Sequence, residues 1–140
     1  MLKEKFLGLF MLIGGFISYL VGGWSGTVTT LFMFMLIDII TGWMLSAIFK
    51  KSPKTETGCL SSKVGAIGLF KKGLILVFLM IAYRLDLLLQ VNYIRDGVCY
   101  AFIVNELVSI IENCGLVGFP IPKILSDTID ILKTKSDKTN

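Results

Sequence analysis

The sequence predicts an all-α integral membrane protein with three to four transmembrane helices and a short C-terminal amphipathic helix. Composition is the first reason: of 140 residues, 54% are hydrophobic and 17% charged, and the mean hydropathy is +0.78. A soluble domain of this size carries about 25% charged residues. Clustering is the second: residues 6–23 hold no charge, and residues 28–49 hold only Asp38. About 20 helical residues cross the hydrocarbon at a rise of about 1.5 Å each. The third is a pair of carboxylates, Asp38 and Glu106, each near the middle of a bilayer-length segment. A charge at that depth costs about 2.5–3.5 kcal/mol on insertion scales, so such residues face other helices or water. The chain therefore reads as a small membrane protein with a polar interior, a single domain over residues 1–132 followed by a polar tail over 133–140.

The first span is expected over about residues 6–23. Lys3 and Lys5 ahead of it resemble the start of a signal peptide, but the run is long, glycine-interrupted and followed by no small-residue cleavage pattern. It reads as a retained span. Gly14, Ser18 and Gly22 recur every four residues, which on a helix forms a small-residue groove suited to close helix approach. Residues 22–27 form an uncharged turn with Trp24 at interface depth.

The second span is expected over residues 28–49. Asp38, Gly42 and Ser46 share its small-residue face, which suits a helix contact around the carboxylate. Residues 50–72 read as a basic loop, with six lysines against Glu56 and with Pro53, Gly58, Ser61 and Ser62 as breakers. The positive-inside rule accounts for that charge without nucleic acid as a partner. The third span is expected over about residues 71–89. Arg84 and Asp86 lie near its far end, too close in sequence to face each other. A polar turn over residues 90–97 follows.

The fourth helix is expected over residues 98–117. Asn105, Glu106, Ser109, Glu112 and Asn113 fall in one arc of about 120° on a helical wheel. Ile103, Val104, Leu107, Val108, Ile110 and Ile111 fill the rest. Such a two-faced helix either spans or lies at the interface. Gly115, Gly118, Pro120 and Pro122 end it. Residues 121–132 then form an amphipathic helix with Ile121, Ile124, Leu125, Ile129 and Leu132 on one face. The loop charges fit an even number of spans with both termini in the cytoplasm. Four spans is the preferred topology, and three with a membrane-surface fourth helix the alternative.

The chain has no histidine and only Cys59, Cys99 and Cys114, without C-x-x-C spacing. This argues against a Cys/His metal site, His-based catalysis and a disulfide framework, and no cofactor or metal is expected. Asp38 and Glu106 have no accompanying nucleophile, so an enzyme is the least favoured class.

Three blocks together resemble the toxin secretion/phage lysis holin family of phages and prophages of Gram-positive bacteria. They are Asp38-Ile-Ile-Thr-Gly-Trp-Met-Leu-Ser-Ala, Ser61-Ser-Lys-Val-Gly-Ala-Ile-Gly-Leu-Phe-Lys-Lys and Asn105-Glu-Leu-Val-Ser-Ile-Ile-Glu-Asn-Cys-Gly-Leu-Val-Gly-Phe-Pro-Ile-Pro. They occur in the family's order and cover most of the chain after residue 30. The third is the most specific, with an E-x-x-S-I-x-E-N run followed by Gly and Pro. The first span is only generically similar.

The resemblance implies a non-enzymatic protein of the bacterial cytoplasmic membrane. Such a protein accumulates harmlessly as a homo-oligomer among membrane lipid, then opens timed lesions. The lesions release an endolysin or, in toxin-associated members, a large exported protein. Asp38, Gly42, Lys71, Glu106, Ser109, Glu112, Asn113, Gly118 and Pro122 match the family's recurring positions. A monomer hides the carboxylates against its own helices or by taking up a proton, and many packed copies turn the polar arc toward water. The competing readings are a small proton-coupled membrane transporter, with Asp38 or Glu106 as proton site, and a structural membrane scaffold.

Overall fold

The computed structural model describes residues 1–137 of the chain. Its elements in order are α1 (Leu2–Val21), α2 (Gly26–Ala47), α3 (Ser62–Leu89), α4 (Ile94–Leu116) and α5 (Lys123–Asp137). The described residues are all-helical, and α1, α2 and α3 are long and apolar enough to cross a membrane. The 23-residue α4 has the length to cross but carries Arg95, Asp96, Glu106 and Glu112.

Several boundaries differ from those expected. Helix α3 begins at Ser62, so residues 62–72 are helical, and the connection to α2 is correspondingly shorter. Lys63, Lys71 and Lys72 are tolerated because the lysine stem is apolar and lysine is a good helix former. Helix α4 begins at Ile94, four residues before the apolar run. The cause is Asp86, whose two carboxylate oxygens accept the backbone N–H groups of Ile94 and Arg95 at 2.9 and 3.0 Å. It serves as the N-terminal cap that the adjacent Tyr93 side chain does not supply. Helix α5 takes in Lys133–Asp137 of the expected tail, and residues 138–140 lie outside the described residues.

The packing follows one spacing repeated on three helices. Val28, Leu31, Met35, Asp38, Gly42 and Leu45 form the inward stripe of α2, at alternating steps of three and four. On α3 the stripe is Lys72, Ile75, Leu79, Ala82 and Asp86, and on α4 it is Cys99, Ile103, Glu106, Ile110 and Asn113. Steps of three and four keep side chains on one seam, as in helix bundles. Both α2 and α3 pack on α4, and α5 also rests on α4 and buries Ile129. Paired contacts run Thr27 to Asp96 and Thr41 to Asn113, so α2 and α4 lie parallel.

The interior is layered. At the end marked by Trp24, Arg95 donates to the carbonyls of Val21 and Gly22 at 3.0 and 2.8 Å, and Thr27 donates to Asp96 at 3.0 Å. The guanidinium thus satisfies carbonyls at the C-terminus of α1 and complements its dipole. The middle layer is apolar, built on Val28, Leu31, Met35, Ile75, Leu79, Cys99 and Ile103. A polar layer lies beyond it, toward the end marked by Pro53.

Helix α1 stands apart. It touches α3 through its last turns, where Ile17 and Val21 reach the core, while Phe6, Phe10, Leu12 and Phe16 are exposed. Gly22 ends it with φ of +81°, and a Cβ there would run into the Tyr83 ring. Gly22 is therefore the cap of α1 rather than the third member of a helical groove. Gly14 has open space around it and Ser18 is half-buried.

Asp86→Ala removes two part-buried hydrogen bonds and with them the α4 cap. It is expected to lower stability by about 2 kcal/mol, read as an earlier unfolding midpoint by circular dichroism in detergent micelles.

Candidate functional site

The polar layer is a single hydrogen-bonded cluster. The Lys72 ammonium on α3 donates to Asp38 Oδ2 on α2 at 2.8 Å and to Glu106 Oε2 on α4. The side chains are 13% (Lys72), 11% (Asp38) and 6% (Glu106) exposed, so all three charges are withdrawn from solvent. Asn113 donates from its amide to Asp38 Oδ1 at 3.2 Å and to Thr41 Oγ1 at 3.1 Å. The Thr41 hydroxyl donates in turn to the backbone carbonyls of Ile37 and Asp38. Among the described residues no buried side-chain polar atom lacks a partner. A cluster satisfied in this way ties three helices at one depth, whereas an unpaired buried charge would destabilise the fold by several kcal/mol.

Local sequence explains the geometry. Asp38 and Gly42 are one turn apart on α2, and the Asn113 amide nitrogen packs over Gly42, 3.7 Å from where a Cβ would stand, an ordinary contact distance. Ser46 is buried and turns its hydroxyl onto the Gly42 carbonyl at 2.8 Å. The small-residue face of α2 thus carries the contact with α4. On α4, Glu106 and Asn113 lie two turns apart and share the inward stripe.

The five-residue polar arc of α4 divides. Glu106 and Asn113 are buried and Ser109 is half-buried, while Asn105 and Glu112 are exposed. Lys71 is also exposed, and its neighbour Lys72 is the residue that enters the cluster. Sequence reasoning missed Lys72 because the third span was started beside it. Its spacing to Ile75, Leu79 and Ala82 places it on the buried stripe. Thr41 was missed as well, one turn from Asp38. Gly118, with φ of +80°, terminates α4, and the Pro122 carbonyl accepts the Leu125 N–H at the start of α5.

A cavity of about 100 Å³ opens beside the cluster, lined by Asp38, Gly42, Ser46, Gly68, Lys72 and Asn113 and roofed by loop residues Ser52, Pro53 and Thr55. It has room for a few waters and is well below the roughly 300 Å³ of a typical small-molecule site.

Helices long and apolar enough to cross a membrane, joined through a buried ion cluster, define a small polytopic membrane protein with a polar interior. The sequence profile of the Bacteriophage holin family matches residues 15–134, and the chain belongs to that family. An uncharacterized protein of Clostridium perfringens is 35% identical over 127 residues, covering 89% of this chain and 88% of its own. One from Listeria monocytogenes is 36% identical over 124 residues, covering 88% and 83%. The "Probable holin" of Bacillus phage phi105 is 28% identical over 104 residues, covering 74% and 71%. No solved structure matches the chain.

Lys72→Met strands two neighbouring carboxylates and is expected to cost about 3–5 kcal/mol. The neutral triple variant Asp38→Asn, Lys72→Met, Glu106→Gln should lose markedly less. Unfolding in mixed SDS micelles measures both, and equal losses would contradict the charge balance described here.

Proposed function

We propose that the protein is a holin that oligomerises in the bacterial cytoplasmic membrane and opens timed lesions through which an endolysin, or in toxin-associated settings an exported toxin, leaves the cell. Family membership supports this reading, and the buried Asp38–Lys72–Glu106 cluster is the observation that gives it a mechanism. In the monomer, three charges meet one another and are shielded from lipid. Opening requires the helices to separate at this layer, so that the same charges line water instead. Ion pairs at low dielectric hold the closed form, while hydration offsets their loss only where neighbouring copies enclose water. Opening thereby depends on the number of copies, which accounts for a delay followed by an abrupt transition.

The charge pattern supports a topology with both termini in the cytoplasm. The loop between α2 and α3 carries Lys50, Lys51 and Lys54 on that side, and the turn after α1 carries no charge. The proton-coupled transporter reading would use the same carboxylates. The cavity beside them is too small for a drug-sized substrate, which favours the lesion-forming reading.

Induced expression should give unchanged growth, then sudden loss of membrane potential followed by lysis when an endolysin is present. Viable cells with an intact potential throughout would refute the holin reading. Glu106→Gln should shift the onset at equal expression, because it weakens the contact that holds the closed form. Identical onset times for Glu106→Gln, Glu106→Leu and the parent would show that the cluster plays no part in timing. For orientation, Cys59 should react with a membrane-impermeant maleimide in inverted vesicles and not in intact protoplasts.

A further inference from the structure

The cluster uses the inward stripe of α4 and leaves a second polar stripe on the outside. Gly97, Ala101, Asn105 and Glu112 are all exposed and follow one face of α4. Asn105 sits level with the middle of α2, one residue from the cluster-forming Glu106. In the four-span reading, an amide there has no water to bond and, unlike a lysine, no long stem on which to reach it. On α3, Lys71 is exposed among the exposed apolar residues Ile67, Leu74 and Phe78. Among the described residues, none of Lys71, Asn105 and Glu112 makes a side-chain hydrogen bond or ion pair.

We infer that these two faces meet between copies: the Asn105/Glu112 stripe of α4 packs against the Lys71 face of α3 in a second copy of the chain. This rests on the oligomer-forming reading above and names the surface through which it acts.

Charge selects this arrangement over like-with-like packing of α4, which would set Glu112 against Glu112. Depth agrees. Lys71 adjoins the cluster-forming Lys72, and Glu112 lies about 9 Å nearer the Pro53 end than Glu106 at 1.5 Å per residue. Helical side chains lean toward their own N-terminus. Because α3 and α4 run in opposite directions, Lys71 leans toward the Pro53 end and Glu112 away from it. With Lys72 and Glu106 already in contact, the Lys71 ammonium stands near the level of the Asn105 amide, and Glu112 lies about 7 Å further toward the Pro53 end, within the sweep of the long lysine stem. Gly97 and Ala101 permit close backbone approach in the same stripe.

Charge reversal in trans tests this. In membranes of cells expressing K71E alone or E112K alone, the yield of chemically crosslinked multimers should fall about fivefold, as expected for losing about 1 kcal/mol per contact. Co-expressing K71E copies with E112K copies should restore the multimers, because each kind supplies the charge that the other lacks. Pairing within one chain cannot be rescued in trans. Asn105→Ala should lower the yield without charge change. If the single variants crosslink like the parent, or the mixture is no better than either alone, the interface is wrong. The holin reading would still stand in that case, provided the parent protein depolarises the membrane. A parent that never depolarises it would remove the holin reading instead.

Discussion

One lysine between two carboxylates holds the interior together. Lys72 is the point at which α2, α3 and α4 share a bond, and each helix contributes its charge from a seam that is largely apolar or small. Dispersion contacts alone would allow these seams to slide, since lipid tails compete for apolar surface as well as a neighbouring helix does. A charge cluster does not slide. Its alternatives are an unpaired ion in hydrocarbon or a change of partner, so it fixes both the register and the neighbours of each helix. Asn113 completes it by donating to the carboxylate oxygen that Lys72 leaves on Asp38, and Thr41 accepts the second amide hydrogen of Asn113.

In the mechanism proposed above, the same property makes the fold convertible. An apolar core exposed to water has no compensating state, whereas two carboxylates and an ammonium are at home in water as well as against each other. The layer nearest the Pro53 end is therefore one in which closed packing and a hydrated lining are both physically accessible. The Trp24 end is different. There Asp86 and Arg95 bond to backbone groups at helix termini, which ties α1 and the α3–α4 turn to the bundle. The molecule is thus fixed at one end by caps and joined at the other by exchangeable charges. Much of α1 remains outside the bundle, with its apolar surface available to lipid or to another helix.

Much of this was legible in the sequence. Length and hydropathy gave the helices, and a carboxylate at bilayer depth announced a polar interior. The small-residue face around Asp38 lies against Asn113 of α4. What escaped was pairing. Glu106 and Asn113 could be placed on one arc with Asn105 and Glu112, but a wheel does not reveal which half of an arc a neighbour covers. Lys72 was hidden by its position at the edge of the apolar run, where a lysine reads as an interface anchor. Lys72 is a step of three from Ile75 and Lys71 a step of four, so spacing alone does not separate the buried lysine from the exposed one. Asp86 was obscure for a similar reason: a cap acting across a turn of several residues leaves no local pattern.

The central claim is that Lys72 touches both carboxylates in the closed protein. Solid-state NMR on protein reconstituted in lipid, with 15N-labelled lysine and 13C-labelled aspartate and glutamate, measures this directly. The account predicts a charged lysine Nζ with through-space correlations to the Asp38 and Glu106 carboxyl carbons, both lost in Lys72→Met. A spectrum in which no lysine Nζ correlates with either carboxyl carbon would contradict it.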